Sequence, residues 1–193
     1  FTLVAETNQP ILYDLNTPSG RTKAGINLRS NSDHEALLQK IRITGLRMRP
    51  GENASCLNLY QTQLPTILGV PQSVIDQFTR ESRFKFADTR AGQPWTLLSE
   101  KSTSQPLSPP GIQPPIPVLG DMNTLQYSLH KGIGSTIEIE DESRQKRQLV
   151  VRGMLDSSIF QGVLLMSEEH LLQLFPDTPG YRYFLIEVDP QLA

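Results

Sequence analysis

Several features that would reveal a particular chemistry are scarce in this chain. It has one cysteine, Cys56, so an internal disulfide bond is excluded. A single cysteine is compatible with an oxidising and with a reducing compartment. No run of 18 or more apolar residues occurs, so no segment of the given sequence is predicted to cross a bilayer as a helix. The net charge of −2 and the pI of about 5.9 lack the basic excess that is typical of nucleic-acid binders.

Metal-binding patterns are also missing. The three histidines are His34, His130 and His170, and each lies on a predicted helix. None of them belongs to an HxxxH or HxH pattern, and no CxxC pair is present. We therefore predict no metal site, no cofactor site and no catalytic set.

Two short motifs superficially resemble functional loops. The segment GIGST at 132–136 follows a predicted helix and precedes a predicted strand, whereas a phosphate-binding loop follows a strand and opens a helix. Ser157 and Ser158 lack the glycine pattern of a nucleophile elbow. Both segments are predicted to be turns.

Cys56 leaves two readings. With a histidine, it would form a nucleophilic pair of the kind used by thiol enzymes. As a lone cysteine in the segment ASCLNLY, it is more typical of a small side chain packed in a core, because free cysteines are among the most buried residues. We predict the second, structural role.

The residues that are present favour a mixed fold. Hydrophobic residues make up 37% of the chain, which is enough for a core. The patterns predict strands at 1–6, 41–49, 66–68, 149–155, 163–166 and 183–188, and a further strand that starts at Ser135. They predict helices at 34–40 and 72–78, one that Asp121 or Asn123 caps and that ends at Gly132, and one that Ser167 caps. A slip in the alternation near Gly45 predicts a β-bulge. Strands interspersed with short helices indicate a mixed sheet with helices on one face.

Two polar segments are predicted to lie at the surface. Residues 101–117 contain six prolines, so they cannot form a central strand and are expected to be an exposed loop. Arg144, Lys146 and Arg147 lie among acidic residues in a charged hairpin turn, and we predict a solvated tip.

Near the closing strand, Tyr181 and its aromatic neighbours are predicted to pack in the sheet rather than to stack on the bases of a nucleic acid.

Three segments carry a resemblance to a known family. They are GDMNTLQYSLHKGIGSTIEIEDE at 120–142, LVVRGMLDSSIFQGVLLMSEEHLLQLFP at 149–176 and GYRYFLIEV at 180–188. They contain, in order, a short helix, G-x-x-I-x-I, a hairpin, V-x-G-x-L, a strand, a helix and a last strand. This order resembles the extracytoplasmic domain of FtsX-like ABC transporter permeases, the MacB-type periplasmic core domain. The segment 51–71 is similar to large permeases of that group. The resemblance covers about 47–188.

The resemblance implies a non-catalytic role outside the cell (inner) membrane, on the periplasmic side. It implies coupling of a cytoplasmic ABC ATPase, through the parent permease, to an extracytoplasmic partner protein or a hydrophobic or lipidated substrate. A dimer of the parent protein stays open. Because the chain begins at Phe1 without Met, we expect transmembrane helices before Phe1 and after Ala193 in that parent. The alternative is a stand-alone thiol or hydrolase-like enzyme that uses Cys56.

The resemblance also implies an α+β fold with mixed sheets, short helices and two small subdomains. We expect a membrane-proximal βαβ-type subdomain from 1–50 and 156–193, and a partner-facing subdomain from 51–155 that carries the proline-rich loop. Strand residues of the first subdomain are predicted to share one core under helices around Leu37 and Leu171. These strand residues are Ile41, Ile43, Leu46, Leu164, Phe184 and Ile186.

Overall fold

The structure, a computed structural model of the 193-residue chain, describes residues 3–26, 37–51, 65–89, 92–100 and 113–188. The chain divides into two compact units. The smaller unit comprises Phe1–Met48 and Thr178–Ala193, and the larger unit comprises Arg49–Asp177. The larger unit is therefore inserted in sequence between the two parts of the smaller one.

Antiparallel strands form the smaller unit. They are β1 (Leu3–Ile11), β2 (Ile41–Arg49) and β9 (Tyr181–Val188), and β9 lies between the other two. Leu3 pairs with Ile186, and Ile41 pairs with Val188. Because paired antiparallel strands run in opposite directions, the start of β1 and the end of β9 lie side by side.

Helix α1 (Pro18–Lys23) lies in this unit, and two polar side chains fix its start. The Thr17 hydroxyl accepts a hydrogen bond from the Gly20 N–H at 3.0 Å and caps the helix. The Asn16 amide bonds both backbone groups of Ile43 on β2, each at 2.8 Å. A side-chain amide thus satisfies part of the β2 backbone, as a neighbouring strand would.

Strand β2 contains no bulge, so that prediction is wrong. Its pairing with β9 runs without a register shift, and Thr44, Leu46 and Met48 alternate as buried residues. Ile41 and Ile43 lie on the opposite, partly exposed face, so they do not share a face with Leu46 as predicted, and the apparent slip arose because Thr44 occupies the buried position. At Gly45, a Cβ atom would lie 2.9 Å from Cγ of Tyr181, so this glycine is required by the close approach of that ring.

A mixed sheet forms the centre of the larger unit. Its strands are β3 (Thr66–Val70), β4 (Phe86–Thr89), β5 (Ile116–Asp121), β6 (Thr136–Glu140), β7 (Lys146–Leu155) and β8 (Val163–Ser167). Their order is β3–β8–β5–β7–β4, and β6 also pairs with β7. The pairs β3–β8 and β5–β7 are parallel, and the remaining pairs are antiparallel. The β6–β7 hairpin agrees with the sequence pattern.

Short helices connect these strands. They are α2 (Gln72–Arg80), a 3-10 helix (Pro94–Ser99), a π-helical segment (Thr124–Ser128) and α3 (Glu168–Leu174). Ser167 caps α3 as the sequence predicted, and its hydroxyl accepts a hydrogen bond from the His170 N–H at 3.2 Å. Pro71 occupies the N-cap of α2 rather than its first helical residue. Its φ of −59° suits the entry into the helix.

The core of the larger unit is made by aliphatic side chains from its sheet and from α3. It includes residues of β3, β5, β6, β7 and β8 together with Leu125, Leu171, Leu174 and Phe175. Strand β8 is buried along its whole length. This strand has partners on both edges, and its side chains are covered on both faces. Every position therefore favours an apolar residue, which explains the sequence VLLM.

The predicted membership of the two subdomains is wrong for β8 and α3. We expected both to join β2 and β9, but β8 pairs with β3 and β5, and Leu164 and Leu171 lie in the core of the larger unit. The unit boundary lies at 177/178 rather than at 155/156. Leu37 is 46% exposed rather than packed over a core. Strand β8 takes this position because it pairs in parallel with β3. In this pairing Thr66 lies opposite Val163, which is 97 residues later in the chain.

The fold is thus of the α+β class, with a large mixed sheet and few short helices, which confirms the predicted class. None of the helices in the described part of the chain is both long and apolar enough to cross a membrane.

Candidate functional site

Only some of the residues that the sequence singled out lie in the described part of the chain. Cys56 and His34 lie outside the described residues, as do 101–112 of the proline-rich segment. His130 is not helical: it follows the π-helical segment with φ of +52°. His170 lies on α3, as predicted. Among the described residues, no group of three or more His, Cys, Asp or Glu side chains could hold a metal ion.

Ser167 and His170 are a serine–histidine pair by distance. Oγ of Ser167 lies 2.8 Å from Nδ1 of His170. The same hydroxyl accepts the His170 backbone N–H and caps α3, and Ser167 is only 6% exposed. A nucleophile must reach its substrate, so this buried hydroxyl is assigned to the helix cap.

Burial of His170 has a consequence for pH. The loss of hydration lowers the pKa of its imidazole below the ordinary 6.5, and the Glu169 carboxylate opposes this to a smaller extent. As the pH falls through 6.5, the unfolded chain therefore takes up this proton before the folded chain does, and the folded state loses stability.

We expect His170→Asn to reduce the loss of stability between pH 7.5 and pH 5.5. Urea unfolding of both proteins at the two pH values measures this. An unchanged difference between the two midpoints in the variant would contradict the assignment.

The basic hairpin is more ordered than predicted. Nε of Arg147 donates to Oδ2 of Asp141 at 2.7 Å, and the other Asp141 oxygen accepts the N–H groups of Ser143 and Gln145, each at 2.9 Å. These hydrogen bonds lower the pKa of Asp141, the Gln145 N–H being the largest cause. Arg147, at the start of β7, is therefore held against the turn, and the prediction of a solvated tip is wrong for it. Lys146 remains exposed and pairs with Glu138 at 2.8 Å.

An aromatic cluster, which the sequence analysis missed, lies in the larger unit. It consists of Phe78 on α2, Phe84, Phe86 on β4, Trp95 on the 3-10 helix and Phe160. Ring centroids lie 4.9–5.7 Å apart, mostly edge-to-face or tilted. Such contacts are favourable because the positive edge of one ring meets the negative face of the next.

The loop after α2 contains two residues in an unusual backbone geometry, and one of them, Phe84, belongs to the aromatic cluster. Phe84 has φ of +66°, and Ser82 has φ of +47°. A bulky residue in this left-handed region is strained by about 1–3 kcal/mol, so the surrounding contacts must hold it there. Nε1 of Trp95 donates to the Arg83 carbonyl at 2.8 Å and fixes the peptide before Phe84. The Phe84 ring then contacts those of Phe78, Trp95 and Phe160.

These rings border a cavity of about 270 Å³. Its lining combines the four rings of Phe78, Phe84, Phe86 and Trp95 with polar and small residues: Thr79, Ser82, Arg83, Gly92, Gln93 and Pro94. Phe78 and Trp95 are buried, whereas Phe84 and Phe86 are partly exposed. The cavity, here named the aromatic pocket, therefore has a rigid ring wall and a mixed rim.

A buried carboxylate supports one side of the cluster. Asp121, fully buried at the end of β5, accepts hydrogen bonds at Oδ2 from the N–H of Ser158 at 2.7 Å and from its hydroxyl at 2.8 Å. Its Oδ1 accepts the Asn123 N–H at 3.0 Å. The Ser158 hydroxyl in turn accepts the N–H of Phe160 at 3.2 Å. Asp121 thus holds the turn that places the Phe160 ring against Phe84.

Ser158 is therefore a structural residue rather than a nucleophile. Ser158 is 6% exposed, and its hydroxyl both donates to Asp121 and accepts from the N–H of Phe160. The predicted turn at Ser157 and Ser158 is present, and Ser157 has φ of +47°. Neither serine lines the aromatic pocket.

Comparison with known proteins adds a structural likeness. No protein-family model and no curated protein sequence matches the chain. The chain is similar to the solved structure of the extracellular domain of the noncanonic ABC-type transporter YknZ from Gram-positive bacteria, with 10% sequence identity and a TM-score of 0.36. The alignment covers 96% of this chain and 82% of that chain.

Proposed function

We propose that this chain is a non-catalytic extracytoplasmic domain of an FtsX-like ABC transporter permease. In this proposal, the parent protein crosses the cell membrane before and after the domain. The domain moves with the cycle of a cytoplasmic ATPase and engages a partner protein outside the membrane. The smaller unit is the membrane-proximal part, and the larger unit is the partner-facing part.

The pairing of β1 with β9 is the observation that carries the proposal. A domain between two transmembrane helices must receive the chain from one membrane face and return it to the same face. Leu3 opposite Ile186 puts the start of β1 beside the end of β9. The motifs at 120–142, 149–176 and 180–188 support the same family from the sequence side.

The insertion of 129 residues, Arg49–Asp177, between strands of the smaller unit also supports the proposal. It contains the six strands β3 to β8, a hydrophobic core of its own and the aromatic pocket. An inserted unit with its own core can carry a binding surface while the smaller unit keeps both connections to the membrane.

The proposal is tested by labelling the parent protein in intact cells. Tyr127 is 72% exposed, so Tyr127→Cys in a Cys56→Ser background provides a reporter thiol in the larger unit. We expect a membrane-impermeant maleimide to label this thiol without lysis. The Cys56→Ser protein that keeps Tyr127 gives the background. Labelling only after lysis would contradict the proposal, as would a parent gene without membrane-spanning segments on both sides of this region.

A further inference from the structure

We propose that the aromatic pocket is a binding site for a single aromatic side chain, presented by the partner protein. The statement that a partner protein supplies this side chain rests on the proposed function. The pocket itself, bordered by Phe84, Phe86 and Trp95, stands on its own geometry.

The size of the cavity limits its occupant. Sites that bury a whole drug-sized ligand usually have roughly 300–1,000 Å³. The aromatic pocket, with about 270 Å³, falls below that range and suits one side chain or a fragment. Protein interfaces commonly use such a pocket for one anchor residue, and Trp and Tyr are enriched among these anchors.

The lining favours a ring over an aliphatic chain. Phe84 and Phe86 are partly exposed at the cavity, so an entering ring can extend the edge-to-face contacts that these side chains already make with Trp95. The rim carries Ser82, Arg83 and Gln93, which is the arrangement of an apolar centre within a polar rim. The polar rim groups can form hydrogen bonds with the backbone or the hydroxyl next to an aromatic anchor. A long hydrocarbon chain offers them no donor or acceptor.

The pocket is also held in place before any ligand arrives. Trp95 is fixed by its hydrogen bond to the Arg83 carbonyl, and the Phe84 ring is held on three sides by Phe78, Trp95 and Phe160. A preformed wall loses little side-chain freedom on binding, which raises the affinity for a small occupant.

Trp95 is the single tryptophan of the chain, so its fluorescence reports on the pocket directly. The probes are N-acetyl-phenylalanine methylamide, N-acetyl-leucine methylamide and decanoate, each titrated into the full chain. We expect a saturable change of Trp95 emission with the aromatic probe, with a Kd on the order of 1 mM because the probe is a fragment. The leucine probe and decanoate should bind at least about tenfold more weakly, a difference of about 1.4 kcal/mol.

Two glycine variants form a matched pair. Gly92 lines the pocket, and a Cβ atom there would meet nothing within 4 Å, so Gly92→Leu can fill the mouth without a clash. Gly132 lies away from the pocket, and a Cβ atom there would approach only Oγ of Ser135, at 4.0 Å. We expect Gly92→Leu to weaken the aromatic probe about tenfold or more and Gly132→Leu to leave its Kd unchanged.

Several results would overturn the assignment: no saturable change with the aromatic probe, equal affinity in the Gly92→Leu protein, or tighter binding of decanoate. If Gly92→Leu does not fold, NMR of the unaltered chain decides, because the probe must then shift the ring signals of Phe84, Phe86 and Trp95 selectively. Failure here leaves the labelling test of the parent protein unaffected. Conversely, cytoplasmic labelling of Tyr127→Cys together with probe binding would keep the pocket and remove the transporter context.

Discussion

Asp121→Ala is expected to destabilise the larger unit by on the order of 3 kcal/mol, because it leaves buried donors without an acceptor. The carboxylate is fully buried and accepts the N–H and the hydroxyl of Ser158 and the N–H of Asn123. Each buried donor that loses its partner costs about 1–3 kcal/mol. Asp121→Asn should cost less, since the amide keeps one oxygen for Ser158.

Urea unfolding followed by circular dichroism measures the change in the free energy of unfolding. Asp88→Ala is the control, because Asp88 is exposed on β4. It should shift the free energy by no more than about 0.5 kcal/mol. An equal, small effect of both substitutions would show that Asp121 does not organise the turn that contains Ser158.

Phe160→Ala is expected to have the other large effect, about 3–5 kcal/mol of destabilisation. Phe160 is fully buried, and its ring centroid lies 5.2 Å from that of Phe84. Truncation removes the transfer energy of the ring and leaves a cavity beside a strained residue. Because Phe84 loses a contact that holds its left-handed backbone, the wall of the aromatic pocket should also lose order.

The measurement combines urea unfolding with Trp95 fluorescence, and Tyr127→Ala at an exposed position serves as the control. Since the Ser158 hydroxyl links Asp121 to the N–H of Phe160, the two sites should also couple. A double-mutant cycle of Asp121→Asn with Phe160→Leu should give an interaction energy of at least about 0.5 kcal/mol. Strict additivity would mean that the carboxylate and the ring act independently.

The sequence by itself determined those helices and strands that are specified by residues close to one another in the chain. The apolar run VLLM followed by Ser167 and two glutamates specifies β8 and the capped start of α3, because the hydroxyl and the carboxylates act within one helical turn. Alternating residues on both sides of a charged turn specify the β6–β7 hairpin. Together with the motifs at 120–142 and 149–176, these elements were enough for the α+β class.

Only the tertiary structure decided which elements share a core and where a site forms. Strand β8 has the same local pattern whether it joins β2 or β3, and the parallel pairing with β3 settles this through contacts about a hundred residues apart. Asp121 and Ser158 are 37 positions apart, and the five aromatic residues are spread over 78–160, so no short window contains their contacts. Periodicity reports which face of an element is apolar, whereas long-range packing decides what that face contacts, and the aromatic pocket exists only at that level.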